Sequence, residues 1–366
     1  MSPLPVLFGW HAHFQDRGVG VTRVFDEYLE EIELAEELGF DEMWLTEHHF
    51  HPYGMAPSPN LILANVAART SHIRLGNMVN ILPLYDPLRL AEEFAMLDHL
   101  THGRLNIGVG SGIRPDEFGR FRISLKEAKP RFYEAFDVIL RALTEEHFDY
   151  DGSFYHYTDV SLVPRPLQQP LPPLVMAAQS ADSVRWAGER GIAITQMYLP
   201  RDETRDRVAT YRQAAATSGG QRLGTPSIRH FRPVYVADTM EQARAVAEPA
   251  YFRFFQLFSR STDSSFMAPS PDGWRHHVTG ALGHILPPLT YDELDAENIT
   301  IFGDPPRVRE KLRELRDEAG MDGLGGMFVF GNLSHEQACR SMRLFAQEVM
   351  PAFRMEPATL TGSGCS

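Results

Sequence analysis

Two rhythms of apolar residues alternate along most of the chain. Short apolar runs at 6–10, 42–47, 73–82, 105–109, 174–178, 193–199, 229–237 and 326–330 have the length and composition of strands buried on both faces. Between them, apolar residues recur at steps of three and four, as in Phe25, Tyr28, Leu29, Ile32, Ala35 and Leu38. That spacing predicts helices over 24–39, 60–70, 87–100, 130–146, 181–191, 202–218, 240–258, 307–319 and 335–353, with a further short strand at 300–302. Gly39 and Gly103 stand just past two of these helices, where a left-handed cap favours a residue without a side chain. About eight strand–helix units in series imply a parallel sheet with right-handed crossovers. The expected fold is α/β, a (β/α)8 TIM barrel formed by residues 1–355 as a single domain.

Two stretches break the rhythm. Segments 148–151 and 153–157 flank Gly152 as a small hairpin, and a Pro/Gln-rich connector follows at 164–173, so 147–173 is expected as an insertion. The second insertion, 259–299, is a long irregular loop carrying Phe266, Met267, Trp274 and Ile285. Loops of that length in a compact domain are usually functional, and an apolar lid is expected there. The Gly/Ser/Thr-rich tail 356–366 is expected to be flexible.

Charge and cysteine content narrow the function. The 366 residues include 35 Lys+Arg against 48 Asp+Glu, a net charge of −13, which argues against a nucleic-acid partner or an anionic membrane surface. Two cysteines, Cys339 and Cys365, supply neither a disulfide framework nor a zinc-ribbon ligand set. With no long apolar stretch and no basic-then-apolar leader, a cytoplasmic protein without a membrane association is expected.

In a closed barrel, reacting groups come from the C-terminal ends of strands and the loops that follow. Four such places carry chemistry. After the second strand come Glu47, His48, His49, Phe50 and His51, where an imidazole exchanges protons near neutral pH, although loop histidines can also be merely solvated. After the first strand come Trp10, His11 and His13, and a His-x-His pair projects two imidazoles to one side, as a metal site requires. Gly108, Gly110 and Gly112 fail the dinucleotide fingerprint because Ile113 replaces its third glycine; they suit either close approach of a flat ligand or a tight turn. Gln179 and Ser180 precede a helix whose N-terminus suits a phosphate, with a plain N-cap as the simpler reading of Ser180.

Longer segments add a resemblance. Trp44-Leu45-Thr46-Glu47-His48-His49-Phe50, the run from Leu82 to Glu93 with Leu97-Asp98 and Gly103-Arg104, and Trp186-Ala187-Gly188-Glu189-Arg190-Gly191 together resemble the bacterial luciferase-like flavin-dependent monooxygenase family over about 6–218. The resemblance implies a homodimeric barrel that takes reduced FMN from a separate flavin reductase. It implies O2 as co-substrate and a flavin 4a-hydroperoxide, and the candidate pocket residues suggest an apolar organic substrate. By position, His48 matches the catalytic histidine, with Glu47 expected to orient it. Met78 and Val79 match a non-prolyl cis peptide beneath the flavin, and Gln179 and Ser180 match the phosphate-holding pair. Gly110 and Ser111 replace a reactive cysteine and a phosphate-binding arginine; Gly110 is expected to open space, and Arg114 or Arg89 to supply the lost charge. Trp10, His11, Phe50, Tyr198 and Trp274 are expected in the substrate pocket. The alternatives are a deazaflavin-dependent oxidoreductase on the same fold, an inactive partner subunit, and a metal-dependent hydrolase using His11 and His13.

Overall fold

The computed structural model describes residues 5–218, 222–260 and 290–354. Eight parallel strands close into a ring: β1 (Leu7–Ala12), β2 (Glu42–Leu45), β3 (Arg74–Asn77), β4 (Leu105–Gly110), β5 (Leu174–Ala177), β6 (Ala193–Met197), β7 (Ile228–Val236) and β8 (Gly323–Met327). The ring shuts where β8 pairs with β1, Gly323 opposite Leu7 and Gly326 opposite Trp10. Around it stand α1 (Val21–Glu37), α2 (Pro59–Ala67), α3 (Pro87–Leu100), α4 (Pro115–Arg120), α5 (Ala128–Thr144), α6 (Ala181–Glu189), α7 (Arg201–Thr217), α8 (Met240–Arg260), α9 (Tyr291–Ala296), α10 (Pro305–Glu318) and α11 (His335–Glu348). Local chemistry sets several starts. Asp86 accepts from Leu88 N and Arg89 N ahead of Pro87, Asp304 accepts from Arg307 N, and Ser180, Thr290 and Ser334 form capping boxes.

Strand periodicity sorts the side chains. On β2, Glu42 and Trp44 face the barrel interior, where Trp44 joins Met78, Val175, Ala193 and Phe231 in one buried cluster. The indole lies so close to β3 that a Cβ on Gly76 would fall 2.4 Å from it, which is why a glycine stands there. Nearer the N-terminal ends of the strands, Arg229 makes two bonds to Glu42, at 2.7 and 2.6 Å, and Trp44 Nε1 donates to the same carboxylate at 3.2 Å. On β1, Phe8 and Trp10 face outward, Phe8 against Phe345 and Trp10 against Tyr28 of α1.

Several elements differ from the sequence expectation. The strand expected over 73–82 ends at Asn77; a cis peptide joins Met78 to Val79, and Asn80–Ile81 then pairs with the end of β4. The last barrel strand begins at Gly323, earlier than the expected 326, because its glycines give no apolar signal. The hairpin's second strand is His156–Val160. The short strand is Ile301–Gly303 and pairs with the end of β7, outside the ring. Helix α4 was not expected, and α9 occupies part of the loop expected at 259–299. Phe266, Met267, Trp274, Ile285 and the tail 356–366 lie outside the described residues. Among the described residues, no helix is long and apolar enough to cross a membrane.

Candidate active site

A cavity opens at the C-terminal rim of the barrel, with about 1000 Å³ of atom-free space that includes part of its open mouth. One arc of its wall comes from the ends of β3, β4 and β5: Met78, Val79, Ile81, Gly110, Ser111 and Gln179. The rest is largely aromatic, from His13, His48, Tyr53, Tyr198, Phe254 and Phe258.

His48 follows β2 and is fixed by Glu117 of α4, which also reaches the cavity wall. Its Nδ1 lies 3.0 Å from Glu117 Oε1, and the same oxygen accepts from His49 N at 3.1 Å and faces Arg114 Nε at 3.3 Å. Burial pushes the Glu117 carboxyl upward in pKa, but His48, Arg114 and the His49 N–H outweigh it and hold the group below the usual range. Engagement of Nδ1 leaves Nε2 as the ring atom free to exchange a proton with a bound molecule. Glu47 was expected in the orienting role and does not take it. It lies 2.9 Å from His49 Nε2 and accepts from the Tyr85 hydroxyl at 2.7 Å. The missed partner had a readable signal: Pro115-Asp116-Glu117 places a proline and two acids in a first helical turn.

Because the folded pKa of Glu117 is depressed, its stabilisation is complete above the unfolded value of about 4.3 and disappears as pH falls through the folded value. Glu117→Gln is therefore expected to lower Tm at neutral pH, with the gap to wild type closing below about pH 4. Thermal unfolding of both proteins across that range checks it; a gap independent of pH would contradict the assignment.

The expected substrate-pocket residues divide. Tyr198 lines the cavity. Trp10 does not, since it faces α1. His11 sits deeper in the barrel, its ring 4.8 Å from Phe231 and 4.9 Å from His13, and it is His13 that reaches the cavity wall. Phe50 is 60 % exposed, turned out by a left-handed backbone (φ 65°) against Phe121 and Arg120. The metal reading of His11 and His13 lacks further ligands: among the described residues, no group of three or more His, Cys, Asp or Glu is placed to hold an ion. His51 pairs with Asp116 at the rim.

On the other arc, the cis peptide stands at Met78–Val79. Gly110 does not open space there. A Cβ on it would fall 2.7 Å from Val79 Cγ2, so the glycine admits the valine and leaves no void. Neither arginine considered for the missing charge turns to Gln179 and Ser180: Arg114 pairs with Asp116 and Glu117 on α4, and Arg89 is exposed beside Glu92 and Glu93. A different cation stands there. Arg207 of α7 is half-buried and donates through Nε to the Gln179 carbonyl at 3.0 Å. The Gln179 side-chain oxygen is buried without a partner. Ser180 acts as the N-cap of α6, accepting from Ser183 N at 3.2 Å, and does not line the cavity.

The profile of the luciferase-like monooxygenase family matches residues 7–323. The chain belongs to that family. The oxygenase component of the flavin-dependent trigonelline monooxygenase of Acinetobacter baylyi is 28% identical over 90% of this chain and 90% of its own length. The crystal structure of monooxygenase RslO1 from Streptomyces bottropensis superposes with a TM-score of 0.84 at 28% identity, covering 95% of this chain and 100% of that one. A coenzyme F420-dependent tetrahydromethanopterin reductase from Methanopyrus kandleri shares the fold alone, at 21% identity, a TM-score of 0.68, and coverage of 96% and 100%. As a member of this family, the protein is an oxidoreductase.

Proposed function

We propose that the protein is the oxygenase component of a two-component monooxygenase that uses reduced FMN and O2 to oxidise an apolar organic molecule. The observation that carries this reading is the pairing of His48 with the buried Glu117 at the wall of an apolar cavity, whose other arc runs from Met78 and Val79 to Gln179. Those residues fit an isoalloxazine with a phosphate tail. Met78, Val79 and Ile81 offer an apolar surface to the ring, Gln179 offers an unpartnered amide oxygen, and α6 presents its N-terminus beside Arg207. Reduced flavin, once bound, supplies the electrons that activate oxygen. The protein's part is to exclude water and to manage a proton at His48 Nε2. The family relative named as an oxygenase component supports a separate reductase as the source of reduced FMN. A second copy of the chain is the proposed partner, and exposed Leu61 on α2 and Met96 and Leu100 on α3 are apolar residues that such a partner would cover.

Arg207 provides the test of the flavin's placement. Arg207→Ala is expected to weaken FMN binding roughly tenfold, the loss of one charge-assisted contact of about 1.5 kcal/mol, and to leave riboflavin binding unchanged. Flavin fluorescence titration reads both constants. Equal weakening of the two ligands, or wild-type protein that takes reduced F420 in place of FMN, would overturn the reading.

A further inference from the structure

We propose that His13 is the substrate-recognition residue of the cavity, a neutral imidazole that hydrogen-bonds an oxygen atom of an otherwise apolar, uncharged substrate. The inference rests on the reading of the cavity as an oxygenase site and names the class of molecule it accepts. His13 lines the cavity at 1 % exposure, and neither ring nitrogen has a hydrogen-bond partner. Its neighbours offer rings in place of acids: Tyr53 at 4.9 Å, Phe254 at 5.5 Å, His11 at 4.9 Å, and His48 parallel to it at 5.9 Å. Burial, then His11 and His48, hold its pKa well below the usual histidine value, so the ring stays neutral with one N–H donor and one acceptor.

Buried polar atoms left without partners cost free energy, and a ligand that satisfies them recovers it. That selects among substrates. A hydrocarbon leaves the His13 nitrogens as they are. A carboxylate meets no compensating charge, because the described lining residues include Glu47 and Glu117 and no Lys or Arg. A neutral ketone, aldehyde or alcohol pairs with His13 and buries its hydrocarbon frame against Tyr53, Tyr198, Phe254 and Phe258. Such a donor strengthens as charge grows on a carbonyl oxygen, without giving up a proton.

The probes are camphor, a bicyclic ketone, and bornane, its parent hydrocarbon, titrated into the FMN-loaded protein, with the carbonyl stretch of bound camphor recorded by infrared difference. Wild type is expected to prefer camphor and to lower its carbonyl stretch. His13→Leu is expected to lose roughly tenfold or more in camphor affinity, hold bornane at least as tightly, and abolish the shift. His13→Gln, which keeps an N–H donor, is expected to restore part of the shift. Wild type without a preference for camphor, an unshifted carbonyl, or equal losses for both ligands in His13→Leu would each overturn the proposal. FMN affinity is measured in all three proteins and is expected to be equal. If wild type binds no FMN, the flavin reading fails, and calorimetry of the same two ligands on the flavin-free protein still decides for or against His13.

Discussion

Replacement of His48 with leucine is expected to lower the rate of product formation by roughly 10²–10⁴-fold, the usual worth of a positioned acid–base group, while reduced FMN still binds. The ring is held by Glu117 at Nδ1 and by edge-on contact with Tyr53 at 4.8 Å, so Nε2 has one orientation toward the cavity. Leucine fills much of the same volume and has no proton to move. Oxygen then still consumes the reduced flavin, and hydrogen peroxide replaces oxygenated product. Glu117→Gln is expected to cause a smaller loss, because an amide still holds Nδ1 but no longer stabilises positive charge on the ring. Product and peroxide, each measured per reduced FMN consumed, distinguish the cases. Coupling at the wild-type level in His48→Leu would remove His48 from the chemistry.

The largest stability effect is expected at the opposite end of the barrel. Glu42→Leu leaves Arg229 buried without its carboxylate partner and is expected to cost about 3–5 kcal/mol. The pair is enclosed: Trp44 Nε1 donates to Glu42, the Arg229 guanidinium lies 5.6 Å from the Trp44 ring, and Asn106 Nδ2 stands 3.5 Å from the carboxylate. Such a pair adds little over a well-packed apolar replacement, but half of it is costly. The double variant Glu42→Leu/Arg229→Met is accordingly expected to recover much of the loss, as read from denaturant midpoints at unchanged slope. Additive costs would show that the two side chains do not act as a pair. The N-terminal ends of barrel strands serve stability, so flavin affinity per folded molecule is expected to stay constant throughout.

The sequence carried the barrel because burial on both faces writes each strand as an apolar run and each helix as a three-four repeat. It carried less where a side chain's direction mattered. Trp10 lies within β1 and Phe50 in the loop after β2, yet the first faces α1 and the second faces solvent, a distinction set by strand parity and by one left-handed residue. His48 was legible from its motif; the helix start that carries its partner had a local signal, but the pairing of the two did not. Glu117 is 69 positions away on a helix of six residues, too short to show a hydrophobic repeat. Gly110 read as open space because a sequence does not show that Val79, just past β3, packs against it. Arg207 was invisible for a related reason: only the packing of α7 against the turn after β5 brings it to Gln179.

The most direct test of the central claim is to mix the protein carrying reduced FMN with oxygen and follow the return of oxidised-flavin absorbance. If the cavity at the C-terminal rim shields reduced flavin beside His48, oxidised flavin returns more slowly than for free reduced FMN, and the delay shrinks in His48→Leu. Return at the rate of free FMN in the wild-type protein, or a delay that His48→Leu leaves intact, would contradict the account.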